Sequence, residues 1–198
     1  TATAKVTATA GTVTSTAVTV AVNARSLVGF SASPSATTAG TPVLFTVTPA
    51  TGANITNVHV DFGDGTGTDL GPIQTASTTQ HPYGSSGTFT ATATARDATG
   101  DSGSLSQSVI VGSLQATLTA SNPTPTVSTP VTFTVGGVGT AVVDHFTWTL
   151  DDGTGPFVTN GPQLIHTFTT RGAKNVRVDI FGVSGGKLGS ATTSVDVQ

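Results

Sequence analysis

An internal repeat constrains the fold of this chain more than any other feature of its sequence. The segment 41–47 (TPVLFTV) matches the segment 129–135 (TPVTFTV), and the turn 64–67 (DGTG) recurs at 152–155, both at an offset of 88 residues. Further along, His81 matches His166 at an offset of 85, which indicates a three-residue deletion in the loop that follows the DGTG turn. The sequence therefore predicts two copies of one small folding unit.

The composition of the chain favours β-structure in both copies. The chain has 42 Thr and no Glu, and only 9% of its residues are charged. Thr and Val pack well on a pleated sheet, whereas the strong helix formers other than Ala are scarce. The apolar residues recur with period two between Gly and Pro residues, which is typical of many short strands and not of a disordered chain.

The alternation also predicts which side chains face the core. About seven short strands in some 85 residues, each with one apolar face, are typical of an immunoglobulin-type β-sandwich. The predicted inward residues are Val43, Phe45, Val47, Val58, Val60, Phe62, Phe89, Ala91, Ala93, Ala95, Leu105, Gln107, Val109 and Val111 in the first copy, and Phe146, Trp148, Leu150, Val176, Val178, Ile180, Ala191, Thr193, Val195 and Val197 in the second.

We expect three segments: residues 1–25, a first repeat (28–111) and a second repeat (112–198). The connection near Val111–Leu114 is short, so we expect the repeats to stack end to end with little hinge freedom. In residues 1–25, Val6, Ala8 and Ala10, then Val18, Val20 and Val22, alternate on either side of a turn near Gly11. A lone hairpin is marginal in water, so we expect upstream sequence or a neighbouring chain to complete its sheet, and we interpret the chain as a fragment of a longer protein.

The first repeat carries the segment 60–66 (VDFGDGT), then 81–90 (HPYGSSGTFT) and then Arg96-Asp97. This pattern resembles the polycystic-kidney-disease (PKD) domain, which reads W-D-F-G-D-G-T, then H-x-Y-x-x-x-G-x-Y-x-V, then Asp. The first repeat has Val60 where the family has Trp, while the second has Trp148 there but lacks the D-F-G-D-G run. The resemblance covers residues 28–198 and implies two tandem extracellular immunoglobulin-like sandwiches that act as spacers or interaction modules, without catalysis. Residues 1–25 resemble the last two strands of a bacterial immunoglobulin-like (Big) domain.

The carboxylates and histidines each have two interpretations. Asp61, Asp64, Asp69, Asp151 and Asp152 suit a calcium loop by type, but Asp-Gly also supplies turn chemistry, and no Glu is present to bind the ion in a bidentate manner. We favour turns and expect no metal site. For His81 and His166 we expect a half-buried imidazole bonded to a neighbouring loop backbone, as the family resemblance implies, and not a catalytic base. His59 and His145 occupy different positions in the two repeats, which argues against a shared metal pair.

The sequence contains few of the residues and motifs that catalysis requires. It has no cysteine, no nucleophile elbow, no phosphate-binding glycine loop and no facing carboxylate pair, so we expect no enzyme, no catalytic residue and no cofactor. A net charge of −3 without a basic stripe argues against nucleic-acid binding, and no apolar run reaches the length of a membrane helix. Trp148 is expected in the core and not in a sugar platform, and Asn54-Ile55-Thr56 matches a glycosylation sequon by chance as readily as by function.

These observations predict a structural spacer or interaction module of a large secreted or cell-surface protein, such as a bacterial adhesin, appendage or surface layer. The alternative is an accessory substrate- or carbohydrate-binding module of a secreted hydrolase. The outer strands have few of the Lys or Pro residues that discourage pairing with another strand, so we expect contacts with other domains or chains through sheet edges and domain ends. Glycans are a further candidate partner.

Overall fold

The computed structural model describes the backbone of residues 2–6, 9–10, 13–14 and 18–22, and the backbone and side chains of residues 26–198. These parts contain strands and no α-helix, which confirms the predicted all-β class. The strands are β1 (Ala2–Val6), β2 (Thr9–Ala10), β3 (Val13–Thr14), β4 (Val18–Val22), β5 (Val28–Ser33), β6 (Ala36–Thr38), β7 (Pro42–Pro49), β8 (Ile55–Asp61), β9 (Gly67–Asp69), β10 (Ser77–Pro82), β11 (Gly87–Asp97), β12 (Ser102–Gly112), β13 (Thr117–Ala120), β14 (Pro130–Gly136), β15 (Val143–Leu150), β16 (Phe157–Thr159), β17 (Gln163–Thr167), β18 (Gly172–Gly182) and β19 (Lys187–Val197).

The strands of the first repeat form two sheets with the orders β10-β7-β5 and β6-β12-β11-β8-β9. The strands of the second repeat form sheets with the orders β13-β14-β17 and β16-β15-β18-β19. Strand for strand, β13-β14-β17 corresponds to β5-β7-β10, and β16-β15-β18-β19 corresponds to β9-β8-β11-β12. This arrangement is an immunoglobulin-like β-sandwich, in which each strand buries alternate side chains between the sheets.

In each repeat an additional segment runs parallel to the last strand. In the first repeat β6 pairs in parallel with β12, where Thr38 lies opposite Gly112. In the second repeat the amides of Asp196 and Gln198 donate to the carbonyls of Pro123 and Pro125 at 2.8 Å. One side of each sandwich is thereby covered by its own chain.

The predicted inward faces lie in the core. Val43, Phe45 and Val47 have no exposed surface, and Trp148 is fully buried beside Phe146. The indole nitrogen of Trp148 donates to the Thr159 hydroxyl at 2.9 Å, so this ring belongs to the core. Thr88 and Thr94 on β11 point outward, as the alternation predicts.

Leu105 differs from its predicted inward position. Its side chain is 38% exposed at the surface of the first sandwich. There it lines a cleft of about 220 Å³ with Ser26, Leu27 and Val28. The predicted position of Leu105 in the core is therefore wrong.

In the amino-terminal segment β1 pairs antiparallel with β4, and β2 pairs antiparallel with β3. This is the strand order expected of a hairpin. The predicted turn at Gly11 and the facing of Val6, Ala8, Ala10, Val18, Val20 and Val22 lie outside the described residues.

Candidate functional site: the Asp–His pairs and the repeat junction

An Asp–His pair with largely buried side chains fixes the DGTG turn in the first repeat. Asp64 Oδ1 accepts hydrogen bonds from the amide and hydroxyl of Thr66, at 3.0 and 2.6 Å. Its second oxygen, Oδ2, lies 2.7 Å from His81 Nε2 on β10. Both side chains are largely buried, with 16% of Asp64 and 13% of His81 exposed. The pair therefore ties the turn that follows β8 to the edge strand of the opposite sheet.

The same pair recurs in the second repeat. Asp152 Oδ1 accepts from the amide and hydroxyl of Thr154, at 3.0 and 2.6 Å, and Asp152 Oδ2 lies 2.7 Å from His166 Nε2. The two repeats reproduce these distances although the intervening loop is three residues shorter in the second. The sequence prediction that His81 and His166 bond a loop backbone is wrong: each imidazole bonds a carboxylate, because each lies next to the DGTG turn in the folded sandwich.

Aromatic rings surround the first pair. Phe62 stacks on His81 with ring centres 4.1 Å apart, and Tyr83 meets His81 edge-on at 4.8 Å. The Tyr83 hydroxyl donates to the Phe62 carbonyl at 3.0 Å. Gly63 allows this packing, since its φ is +82° and a methyl group on it would lie 2.9 Å from backbone atoms of Thr90.

Hydrogen bonding and burial set the acidity of these groups. Burial raises the pKa of Asp64, but the hydrogen bonds from Thr66 and His81 outweigh burial and leave that pKa below its ordinary value. The pKa of Asp152 is lowered against burial in the same way, by Thr154 and His166. Burial, reinforced by the charges of Asp64 and Asp61, raises the pKa of Tyr83 to about 12. Both carboxylates are therefore ionised at neutral pH and the phenol is neutral.

The remaining predicted candidates have hydrogen-bond partners of their own and do not join these pairs. Asp61 Oδ1 accepts from the Gly63 amide at 2.7 Å, and Asp151 Oδ2 accepts from Asn175 at 2.9 Å. His59 pairs with Asp69 in the first repeat and His145 with its neighbour Asp144 in the second, both on exposed surfaces.

Turn chemistry accounts for three of the predicted calcium candidates, since Asp61, Asp64 and Asp152 each accept from the amide two residues further on. The other two, Asp69 and Asp151, bond side chains of neighbouring strands. Within residues 26–198 the structure brings together no group of three or more His, Asp or Glu side chains able to hold a metal ion.

The hydroxyls bonded to the Asp–His pairs are not placed as in a hydrolytic relay. A serine-type relay needs a hydroxyl on the imidazole nitrogen that faces away from the carboxylate. In the described part of the chain the hydroxyls nearest to the pairs, Thr66 and Thr154, donate to the carboxylates and not to the imidazoles. Each pair, together with its threonine, therefore fixes the DGTG turn.

The second feature is the junction, which is the set of contacts between the two repeats. The Val142 amide donates to the Gly40 carbonyl at 2.8 Å. Leu188 is only 2% exposed, and a methyl group on Gly40 would lie 2.7 Å from its Cδ1. Near by, a methyl group on Gly186 would lie 3.1 Å from the Cα atom of Gly84, so these two backbones touch.

Leu188 has no counterpart in the first repeat. In the second repeat Ile180 pairs with Gly189 and Phe181 with Lys187, so Leu188 is the extra residue of a β-bulge. In the first repeat Ala95 and Arg96 pair with Gly103 and Ser102, with no residue between them.

Sequence reasoning predicted close stacking of the repeats but missed the Asp–His pairing and the contacts that form the junction. The partner of His81 lies 17 residues away in the sequence, and the bulged Leu188 reads as an ordinary position of an alternating strand. The one available signal was the joint recurrence of DGTG and His in the two repeats.

The fold defines the class of this protein, an immunoglobulin-like β-sandwich. Residues 28–111 match the family model described as the PKD domain. Comparison with curated protein sequences finds no match.

Solved structures with similar folds include the fibronectin(III)-like modules of Clostridium thermocellum CbhA, with 13% identity, 86% of this chain and 94% of that chain covered, and a TM-score of 0.35. A segment of two fibronectin type-III domains from chicken tenascin has 12% identity, 85% and 97% coverage, and a TM-score of 0.42. A putative membrane anchored protein from Corynebacterium diphtheriae has 13% identity, 94% and 55% coverage, and a TM-score of 0.39. At these identities the similarity concerns the fold alone.

Among the described residues no helix could cross a membrane.

Proposed function

We propose that this chain is a non-catalytic spacer and interaction module of a large secreted or cell-surface protein. Its two sandwiches, residues 28–111 and 112–198, would be tandem PKD-like domains that follow the last strands of an upstream immunoglobulin-like domain in residues 1–25. The PKD match to residues 28–111 supports an extracellular location, since domains of this family are usually extracellular.

The junction between the repeats is the observation that carries this proposal. A flexible linker would leave the two sandwiches free to reorient, and it needs no specific contact between them. Here the absence of side chains at Gly40, Gly84 and Gly186 lets the two repeats approach closely, and the bulged Leu188 packs beside Gly40. Contacts of this kind hold one relative orientation, which a spacer needs in order to transmit distance and direction.

The alternative function, a carbohydrate-binding accessory module, has less support. Sugar-binding sandwiches present exposed aromatic rings for stacking on the sugar. In residues 26–198 the large hydrophobic side chains that are exposed are all aliphatic.

Distance measurements between two spin labels test the spacer proposal. The chain has no cysteine, so cysteines introduced at the exposed Thr94 and Thr192 would be labelled specifically. We expect one narrow distance distribution for the parent protein. Gly40→Val should broaden it severalfold, because the new side chain overlaps Leu188 and Ala141.

Gly100→Val is the matched control. Gly100 has a similar φ of +90° but no atom within 4 Å of a methyl group placed on it, so this variant carries the same backbone strain without touching the junction. A broad distribution in the parent protein, or equal broadening by both variants, would contradict a fixed junction.

A further inference from the structure

The second repeat has one covered side and one free side. β13 contacts β19, so these strands lie on the same side, which the segment 123–127 also covers. The strand orders then place β16 and β17 together on the opposite side, each at the edge of its sheet. In the described part of the chain no further strand pairs with the outer edge of β17.

The backbone of Ile165 faces this free edge. Residues of antiparallel strands direct their amide and carbonyl groups alternately toward and away from a given neighbour. Thr132 lies opposite Ile165. Its amide donates to the Ser121 hydroxyl at 3.0 Å, and its carbonyl accepts from the Ser121 amide at 2.9 Å. The backbone groups of Thr132 therefore face away from β17. Ile165, and with it Gln163 and Thr167, therefore presents N–H and C=O groups outward.

The equivalent edge of the first repeat is guarded, which means that its residues discourage pairing with another strand. Proline on an edge strand removes a donor, and polar or charged side chains discourage pairing with another strand. Pro82 occupies the position of Thr167, and Gln80 occupies the position of Ile165. On the neighbouring edge, Asp69 stands where β16 has Val158.

The second repeat has none of these three residues at the equivalent positions, and its Ile165 is 68% exposed. The two repeats thus provide an internal comparison of equivalent edges: β17 lacks the residues that discourage pairing along β10.

We propose that β17 is a self-association edge, which pairs antiparallel with β17 of a second copy of this chain. We place the two-fold axis that relates the copies at Ile165. Ile165 then lies opposite Ile165 of the second copy, and Gln163 lies opposite Thr167. These are the residues whose amides and carbonyls point outward, so each pair exchanges backbone hydrogen bonds and β13-β14-β17 becomes half of a six-stranded sheet.

Charge favours a second copy as the occupant. A symmetric contact brings each side chain near its own counterpart, so a charged strand would repel itself. β17 carries no charged side chain that faces outward, since its His166 points into the sandwich and pairs with Asp152. The strand is therefore compatible with itself. The inference extends the interaction role proposed above but does not depend on the fixed junction.

Sedimentation of the full 198-residue chain over a range of concentrations tests the proposal. We expect the weight-average mass to rise toward a dimer, and Ile165→Lys to weaken dimerisation at least ~10-fold by placing two ammonium groups opposite each other. Gln80→Lys, the same change at the equivalent guarded edge, should leave the dimer unchanged.

Amide hydrogen exchange provides a readout that needs no variant. Protection of the Ile165 amide should increase with protein concentration, while that of the Gln80 amide should not. A chain that stays monomeric up to ~1 mM, or a dimer that Ile165→Lys and Gln80→Lys affect equally, would overturn the proposal. A monomer with a narrow spin-label distribution would overturn only self-association and would leave the spacer function standing.

Discussion

Replacing Asp152 by alanine should destabilise the second repeat by ~2–4 kcal/mol. The carboxylate accepts three hydrogen bonds, two from Thr154 and one from His166, and only 8% of the side chain is exposed. Hydrogen bonds to a charged group contribute ~1.5–3 kcal/mol each, but the exposed Thr154 can bond water after the substitution. The expected loss is therefore smaller than the sum of three bonds, and most of it comes from the imidazole.

Urea unfolding followed by tryptophan fluorescence measures this loss. Trp148 is the only tryptophan of the chain and lies in the core of the second repeat, so its signal reports that repeat. Asp144→Ala is a matched control, because Asp144 also pairs with a histidine, at 2.8 Å, but is 57% exposed. Exposed pairs contribute ~0–1 kcal/mol, so the control should shift the midpoint little. Equal losses in the two variants would refute the argument that burial makes the repeated pair important.

Two further predictions concern titration. The pKa values of Asp64 and Asp152 are lowered in the folded state, so their contribution to stability is complete above the unfolded pKa of ~3.9 and is lost as the pH falls through the folded values. Urea midpoints should therefore fall below ~pH 4, and less steeply in Asp152→Ala. Tyr83, the only tyrosine, has a pKa raised to about 12, so its ultraviolet absorbance should show almost no phenolate at pH 10.5 unless the first repeat has unfolded. A half-ionised phenol near pH 10 in the folded protein would contradict its burial.

The strands of this protein were predictable because their periodicity is local. Val43, Phe45 and Val47 alternate with polar residues, and their burial follows directly from the geometry of a strand. The same pattern recurs at residues 129–135, which supports the strand prediction a second time. Leu105 follows the same alternation, yet its side chain is exposed at the surface of the first sandwich, which no local pattern encodes.

The candidate site was less predictable because its contacts join distant parts of the chain. Sequence reasoning singled out Asp64 and His81 separately, but their pairing depends on how the two sheets pack over the turn. The junction is harder still, since a bulge at Leu188 and the absence of a side chain at Gly40 matter only when the two repeats meet.

The parallel segments that cover one side of each sandwich determine how the protein bears tension. A pull along the chain draws β6 and the end of β12 in opposite directions along their common axis, because the two strands run parallel. The hydrogen bonds between them lie across that axis and resist together, instead of opening one after another as in a hairpin pulled from its ends. The segment 123–127 stands in the same relation to β19, so we expect the same shear geometry in the second repeat.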